Sequence, residues 1–240
     1  CMVDLACNYE PTANIDDDSC EFGNCPGCND SQASNYNPTS SNDEICQYSY
    51  TFTNCGQEGR YGPSIEQVNQ EYGAGSGITV LDGIQYWTVP QSGTYQIEAL
   101  GAGIARAHGA RILGSFELEE TSQLKILVGQ LGSNAGGHGG AFVSSINNIP
   151  LIVAGGGASI TNEVDNDFQN GASENCGNDG SLGYGGCDGQ GGDANSLGGS
   201  YGGGGGGGFY TDGNINNSNY ADGGIAFING GYGGFRGAWE

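Results

Sequence analysis

The residues of this chain with chemistry-capable types and spacing are nine cysteines and 27 carboxylates. Seven cysteines, Cys1, Cys7, Cys20, Cys25, Cys28, Cys46 and Cys55, crowd into the first 55 residues, where apolar side chains are sparse. A segment that cannot bury a core is usually stapled, and staples persist in oxidising compartments, so an extracellular, secreted or cell-surface location is expected. Cys25-Pro26-Gly27-Cys28 has the spacing of a zinc or redox dithiol. In a secreted chain the same pair reads as two half-cystines of neighbouring loops. The acidic residues share this segment. Asp4, Asn14, Asp16, Asp17, Asp18, Asp30, Asn42, Asp43 and Glu44 are hard oxygen donors, and calcium takes about six to eight of these. No EF-hand spacing is present. Calcium is the expected cofactor, with Asp16, Asp17, Asp18, Asp30, Asp43 and Glu44 as candidate ligands; the alternative is a set of solvated acidic loops.

Catalytic chemistry finds little support. The two histidines, His108 and His138, lack zinc-hydrolase spacing. His138, in Gly136-Gly137-His138-Gly139-Gly140, reads as a loop residue rather than a base. Nothing singles out a glycosidase carboxylate pair. The sole lysine, Lys125, stands in a strand pattern and not in a phosphate-binding loop. No catalytic residue is therefore assigned. A net charge of -22 with five cations excludes nucleic acid, which is bound through Lys and Arg. The same balance disfavours anionic membranes. No apolar run approaches the roughly 20 residues of a bilayer span, so direct membrane insertion is not expected. Asn29-Asp30-Ser31 and Asn216-Asn217-Ser218 have the form of glycosylation sequons.

Composition shifts near residues 49 and 155, giving a Cys/Asp-rich head, a strand-rich middle and a glycine-rich tail. The head repeats itself: Cys1, Asn8-Tyr9 and Pro11 recur as Cys28, Asn35-Tyr36 and Pro38 at an offset of 27, and Cys20 then recurs as Cys46. Two units follow, residues 1–26 and 27–48. Pairing Cys1 with Cys20 and Cys28 with Cys46 serves both copies. Cys7, which is Ser34 in the second copy, is left to pair with Cys25.

In the middle, residues 49–155, Ile84 to Val89 and Tyr95 to Ala99 alternate with the period of half-buried strands, and Pro90-Gln91-Ser92-Gly93 is a turn signal. The pair reads as a hairpin. Further strands are expected at Ile112 to Leu118, Leu124 to Val128, Ala141 to Ile146 and Leu151 to Ala154, and one short helix at Ser64 to Tyr72. Such spacing implies an all-β, antiparallel sandwich or jelly roll. In the tail, residues 156–240, aromatic residues interrupt the glycine runs, Cys176 and Cys187 bracket a short loop, and Ile225 to Ile228 reads as a returning strand. Polyglycine is ordinarily flexible. Its ordered alternative is a bundle of polyglycine II helices, which can lie side by side and bond to one another because they lack Cβ atoms. Tyr201, Phe209 and Tyr210, with Tyr220, Tyr232, Phe235 and Trp239, form either an exposed contact surface or spacers packed among those helices.

The ordered series Phe52-Thr53-Asn54-Cys55-Gly56, Gly62-Pro63, Gly83-Ile84-Gln85-Tyr86-Trp87-Thr88-Val89-Pro90, Leu113-Gly114-Ser115-Phe116, Ile126-Leu127-Val128-Gly129-Gln130 and Pro150 to Gly157 resembles the extracellular glycine-rich domain of the anaplastic lymphoma kinase and leukocyte tyrosine kinase receptors and related bacterial glycine-rich proteins. The resemblance spans about residues 50 to 230. It implies a tumour-necrosis-factor-like (TNF-like) β-sandwich with inserted polyglycine II helices. In the receptors a second cysteine follows the equivalent of Cys55; here Val68 stands near that place, which leaves the partner of Cys55 unidentified. The head resembles the Cys-Asn-Tyr-Pro-Asp-rich repeats of Bacteroidota cell-surface proteins. Together these imply a piece of a longer secreted protein, a structural or adhesive module of a bacterial adhesin or filament. Its expected partners are neighbouring subunits and a glycan or other cell-surface ligand. Two alternatives stand beside it: a ligand- or glycan-recognition domain using the glycine-rich face, and an accessory region of a polysaccharide-active enzyme.

Overall fold

The structure, a computed structural model, describes residues 1–240 except 5, 16, 23–26, 32, 39, 41–45, 105–106, 133–136, 159–169, 173, 180–182, 195–203, 217–220 and 235–240. The chain forms two compact units, Cys1–Thr51 and Phe52–Glu240.

In the first unit the sequence repeat is reproduced bond by bond. The Tyr9 amide donates to Ala6 O and the Tyr36 amide to Ala33 O; the Glu10 amide donates to Cys1 O and the Asn37 amide to Cys28 O. The Cys7 amide donates to Glu21 O and the Ser34 amide to Gln47 O. Asn8 Oδ1 accepts from the Glu21 amide at 3.0 Å and Asn35 Oδ1 from the Gln47 amide at 2.8 Å. These asparagines do for the backbone what a ladder would do in a sheet. Disulfides Cys1–Cys20 and Cys28–Cys46 close the two loops. Each such loop contributes about 3 kcal/mol by restricting the unfolded chain. Among the described residues of this unit the buried side chains are small, those of Ala6, Ala33 and Cys28, so staples and side-chain bonds stand in for a core. Cys7 is also disulfide-bonded. Cys25, the partner expected for it, lies outside the described residues.

The second unit begins with Phe52, whose ring meets Trp87 edge-on at 5.8 Å. Helix α1 (Ile65–Tyr72) is started by Ser64 and Gln67 in a reciprocal capping box and buries Val68. Seven strands follow: β1 (Thr79–Leu81), β2 (Ile84–Thr88), β3 (Gly93–Leu100), β4 (Arg111–Leu118), β5 (Gln123–Leu127), β6 (Ala141–Ser145) and β7 (Pro150–Ala154). One antiparallel sheet has the order β1-β2-β5-β6-β7, and β3 pairs with β4 in a second. The sheets pack face to face. Ala99 and Ile97 of β3 and Ile112 and Phe116 of β4 meet Ala141, Ile152 and Ala154 of β6 and β7, while Trp87, Val89, Leu124, Ile126 and Val143 form the adjoining cluster. The alternation in β3 and β4 supplies this: every second side chain points inward and the intervening Thr94, Gln96, Glu98, Ser115 and Glu117 face water.

The expected hairpin of β2 with β3 is not formed. β2 runs on beside the β4–β5 connection, the Val89 amide donating to Ser122 O and the Thr121 amide to Val89 O. Pro90, with no N–H, ends that ladder. The chain then crosses to the other sheet, where Tyr95 meets Trp87 edge-on at 6.1 Å across the core. The turn signal was genuine, but it marks a change of sheet.

The glycine segments are hydrogen-bonded in a way no sheet can be. The Gly192 amide donates to Gly206 O, the Gly205 amide to Asn214 O, and the Asn214 amide back to Gly192 O. A second triangle shares an edge: Gly205 to Asn214, Gly213 to Gly224, and Gly224 to Gly205. A third involves Ala102, Gly139, His138 and Gly157. In a sheet each strand bonds left and right; here three segments bond pairwise and close on themselves. This demands close approach. A Cβ on Gly205 would fall on the carbonyl of Gly192, and one on Gly213 on the carbonyl of Gly205, whereas Gly206 faces open space. Disulfide Cys176–Cys187 closes a loop beside the short pair β8 (Gly183–Tyr184) and β9 (Asp193–Ala194).

The lattice is fastened to the β region by three phenylalanines. Phe227 stacks on Phe142 at 5.3 Å and on Phe209 at 5.1 Å, and the cluster includes Ile84 and Leu127. The returning strand expected at 225–228 is absent. Phe227–Asn229 is a 3-10 turn ending at Gly230, because Asp212 Oδ1 accepts from the Ala226 amide at 2.7 Å and the Phe227 amide donates into the lattice at Gly208 O. An apolar run identifies burial but not backbone conformation.

Candidate functional site

Among the described acidic residues of the first unit, Asp17 and Asp30 accept hydrogen bonds from nearby side chains. Asp17 accepts from the Ser19 amide at 3.1 Å and from the Ser19 hydroxyl; the hydroxyl bond is the chief reason that its carboxyl titrates below the ordinary range. Asp30 Oδ2 accepts from the Tyr48 hydroxyl at 2.7 Å, and that bond raises the Tyr48 pKa. Asp18 takes positive φ in a turn. Asp16, Asp43 and Glu44 lie outside the described residues. Among the described residues no three His, Cys, Asp or Glu side chains are grouped to hold a metal ion.

The aromatic residues expected to form a contact surface divide. Phe209 is fully buried in the phenylalanine cluster, so of its two alternatives, contact surface or packed spacer, it takes the packed one. Tyr210 is 43% exposed, its amide donates to Gly189 O, and its ring meets Phe209 edge-on at 4.8 Å. Tyr201 lies outside the described residues. Cys55, for which an unidentified disulfide partner was expected, is a buried free thiol. The Tyr72 hydroxyl beside it is pushed up, chiefly by burial. Val68, near the second cysteine position of the receptors, is fully buried. His138 Nδ1 accepts from the Gly132 amide at 3.1 Å, and burial lowers its pKa.

The structure instead gathers polar and aromatic groups from three distant segments. The β1–β2 turn is Asp82-Gly83, both at positive φ (52° and 77°), as a two-residue antiparallel turn requires. Gly62 lies directly against Gly83, with no space for a Cβ on either. This sets Arg60 and Tyr61 beside the turn. The Gly233 amide donates to Arg60 O at 2.8 Å and Gln130 Nε2 to Tyr61 O at 3.0 Å. Tyr232 then meets Tyr61 edge-on at 5.3 Å, and the Arg60 guanidinium lies 5.6 Å from the Tyr61 ring centre. Burial, with the Asp82 carboxylate second, raises the Tyr232 hydroxyl and likewise that of Tyr86. Tyr61 is 56% exposed and Asp82 is exposed. The Asp-Gly pair at 82–83 is a common turn signal that the sequence reading did not use, and nothing local to the sequence connects it with Tyr61 or Tyr232.

Over 101 residues the chain is 37% identical to the leukocyte tyrosine kinase receptor of Mus musculus. The alignment covers 36% of this chain and 11% of the receptor, so the chain corresponds to a small part of that relative. No protein-family model matches. The similarity supports the resemblance to the receptors' extracellular glycine-rich domain. The contacts between its motifs agree: Phe52 packs on Trp87, Gly62 on Gly83, and Gln85 Nε2 donates to Thr53 O at 2.8 Å. Disulfides that include Cys1–Cys20, Cys28–Cys46 and Cys176–Cys187, with this similarity, support an extracellular or secreted protein. No helix among the described residues is long and apolar enough to cross a membrane.

Proposed function

We propose that the chain is a non-catalytic structural and adhesive module of an extracellular bacterial surface protein, an adhesin or filament subunit. In this reading the two packed sheets are a TNF-like jelly-roll sandwich and the glycine segments are polyglycine II helices. The observation that supports it is the closed triangles of backbone hydrogen bonds, such as that joining the segments at Gly192, Gly205-Gly206 and Asn214. A lattice bonded in more than one lateral direction resists shear, and it presents a surface whose shape is fixed by backbone rather than by mobile side chains. Calcium held by the acidic head belongs to the same proposal, since neutralising carboxylates would relieve the self-repulsion of a chain with net charge -22.

Light scattering and electron microscopy of the purified protein, in calcium and after chelation, test this reading. A large regular assembly that loses mass on chelation is the expected result. A monomer under both conditions overturns self-assembly. The similarity to a receptor's extracellular part favours a second reading, a ligand-recognition domain, for which saturable binding by that monomer would be the sign.

A further inference from the structure

We propose that Tyr61, Tyr232, Arg60 and Asp82 form a saccharide-binding site on the second unit. The inference rests on the adhesive reading for its biological sense, but its location comes from the geometry alone. Two tyrosine rings meet edge-on at 5.3 Å and make an angled apolar corner, one wall of which is 56% exposed. Tyrosine rings suit the C–H faces of a pyranose, which are apolar while the ring's rim carries hydroxyls. Those hydroxyls need paired donors and acceptors. Asp82 supplies an exposed carboxylate acceptor, and Arg60, one of only five cations in the chain, supplies planar donors beside the same ring.

The site is organised before any ligand arrives. Gly62 against Gly83, the Gly233 amide on Arg60 O and Gln130 on Tyr61 O fix together four segments that are remote in sequence. Little ordering therefore remains to oppose binding. The partner is a neutral hexose oligosaccharide rather than a polyanion, because a chain of net charge -22 repels polyanions and Asp82 stands within the site.

The test is titration of the intact protein with neutral hexose tetramers of glucose, mannose and galactose, followed by tyrosine fluorescence and calorimetry. Saturable binding to one of them is expected. Tyr61→Ala should weaken it by about tenfold or more, Tyr61→Phe should leave it nearly intact, and Tyr184→Ala, removing another exposed tyrosine, should leave it unchanged. Circular dichroism of each variant distinguishes lost binding from lost folding. Absence of saturable binding to all three tetramers overturns the site, as does equal binding by wild type and a folded Tyr61→Ala protein. If the wild type assembles into fibres yet binds no tetramer, the site fails while the structural reading survives. If a monomer binds and depends on Tyr61, the filament fails while the site survives.

Discussion

The cysteine-rich head and the glycine-rich region share a difficulty and solve it in opposite ways. Neither carries enough apolar side chains for a conventional core. The head keeps its side chains and uses them, through disulfides at Cys1–Cys20 and Cys28–Cys46 and through the Asn8 and Asn35 amides that bond the backbone. The glycine-rich region dispenses with side chains, and its backbones approach until amide and carbonyl groups satisfy one another laterally. Order in the first is covalent and local. In the second it is cooperative, since each segment is held by two or more others, and ordering glycine costs more backbone entropy than ordering any other residue. The difference teaches that a glycine tract becomes structure only where a neighbouring element anchors it, which here is Phe209 and Phe227 on Phe142.

The anchor is the most sensitive point of that contrast. Phe227→Ala should destabilise the second unit by about 3–5 kcal/mol and leave the first unit's disulfide-dependent proteolytic resistance unchanged. Thermal unfolding with limited proteolysis would check both. Parallel loss of the two units would show that they are not independent. Next in size, Cys28→Ser with Cys46→Ser should remove about 2–4 kcal/mol from the head without altering amide-exchange protection at Gly205 and Gly213.

Close approach itself is tested by a matched pair. Gly205→Ala, whose methyl would meet the Gly192 carbonyl, should cost about 1–3 kcal/mol. Gly206→Ala, whose methyl meets nothing within 4 Å, should be near neutral in chemical denaturation. Equal effects would deny that lateral contact orders the region.

The smallest effects come with pH, and they separate the regions by window. Burial lowers the His138 pKa below 6.5, so the folded chain binds fewer protons than the unfolded one as the pH falls beneath that value. Stability of the second unit should then be complete above about pH 6.5 and decline on acidification, and His138→Gln should abolish that slope. Asp17 in the head is depressed by the Ser19 hydroxyl. Its contribution is present above the ordinary value of 3.8 and disappears as pH falls through the lower folded value, so the head should begin to respond only in stronger acid. Amide exchange resolved by segment would show the two windows.

Much of the fold was legible because its signals are local. The helix was expected at Ser64 to Tyr72, alternation announced β3, and the offset of 27 announced a repeat that recurs down to the Tyr9 and Tyr36 amides. The candidate site was less legible. Phe209 stood open between contact surface and packing because a phenylalanine within glycine gives no periodicity from which to read its direction. Tyr61 and Asp82 passed unnoticed because no spacing relates them.

Composition and order alone therefore determined an acidic, cysteine-stapled head, short antiparallel strands, and a glycine region with apolar anchors. Those properties are carried by each residue's own conformational range and its near neighbours. Tertiary structure decided the rest: that β2 and β3 lie in different sheets, that Ile225 to Ile228 turns rather than extends, and that the segments at Gly192, Gly205-Gly206 and Asn214 close a triangle. A turn signal reports where a chain bends but not which ladder it rejoins. Glycine, lacking a side chain, records nothing in the sequence about the neighbour its backbone will meet.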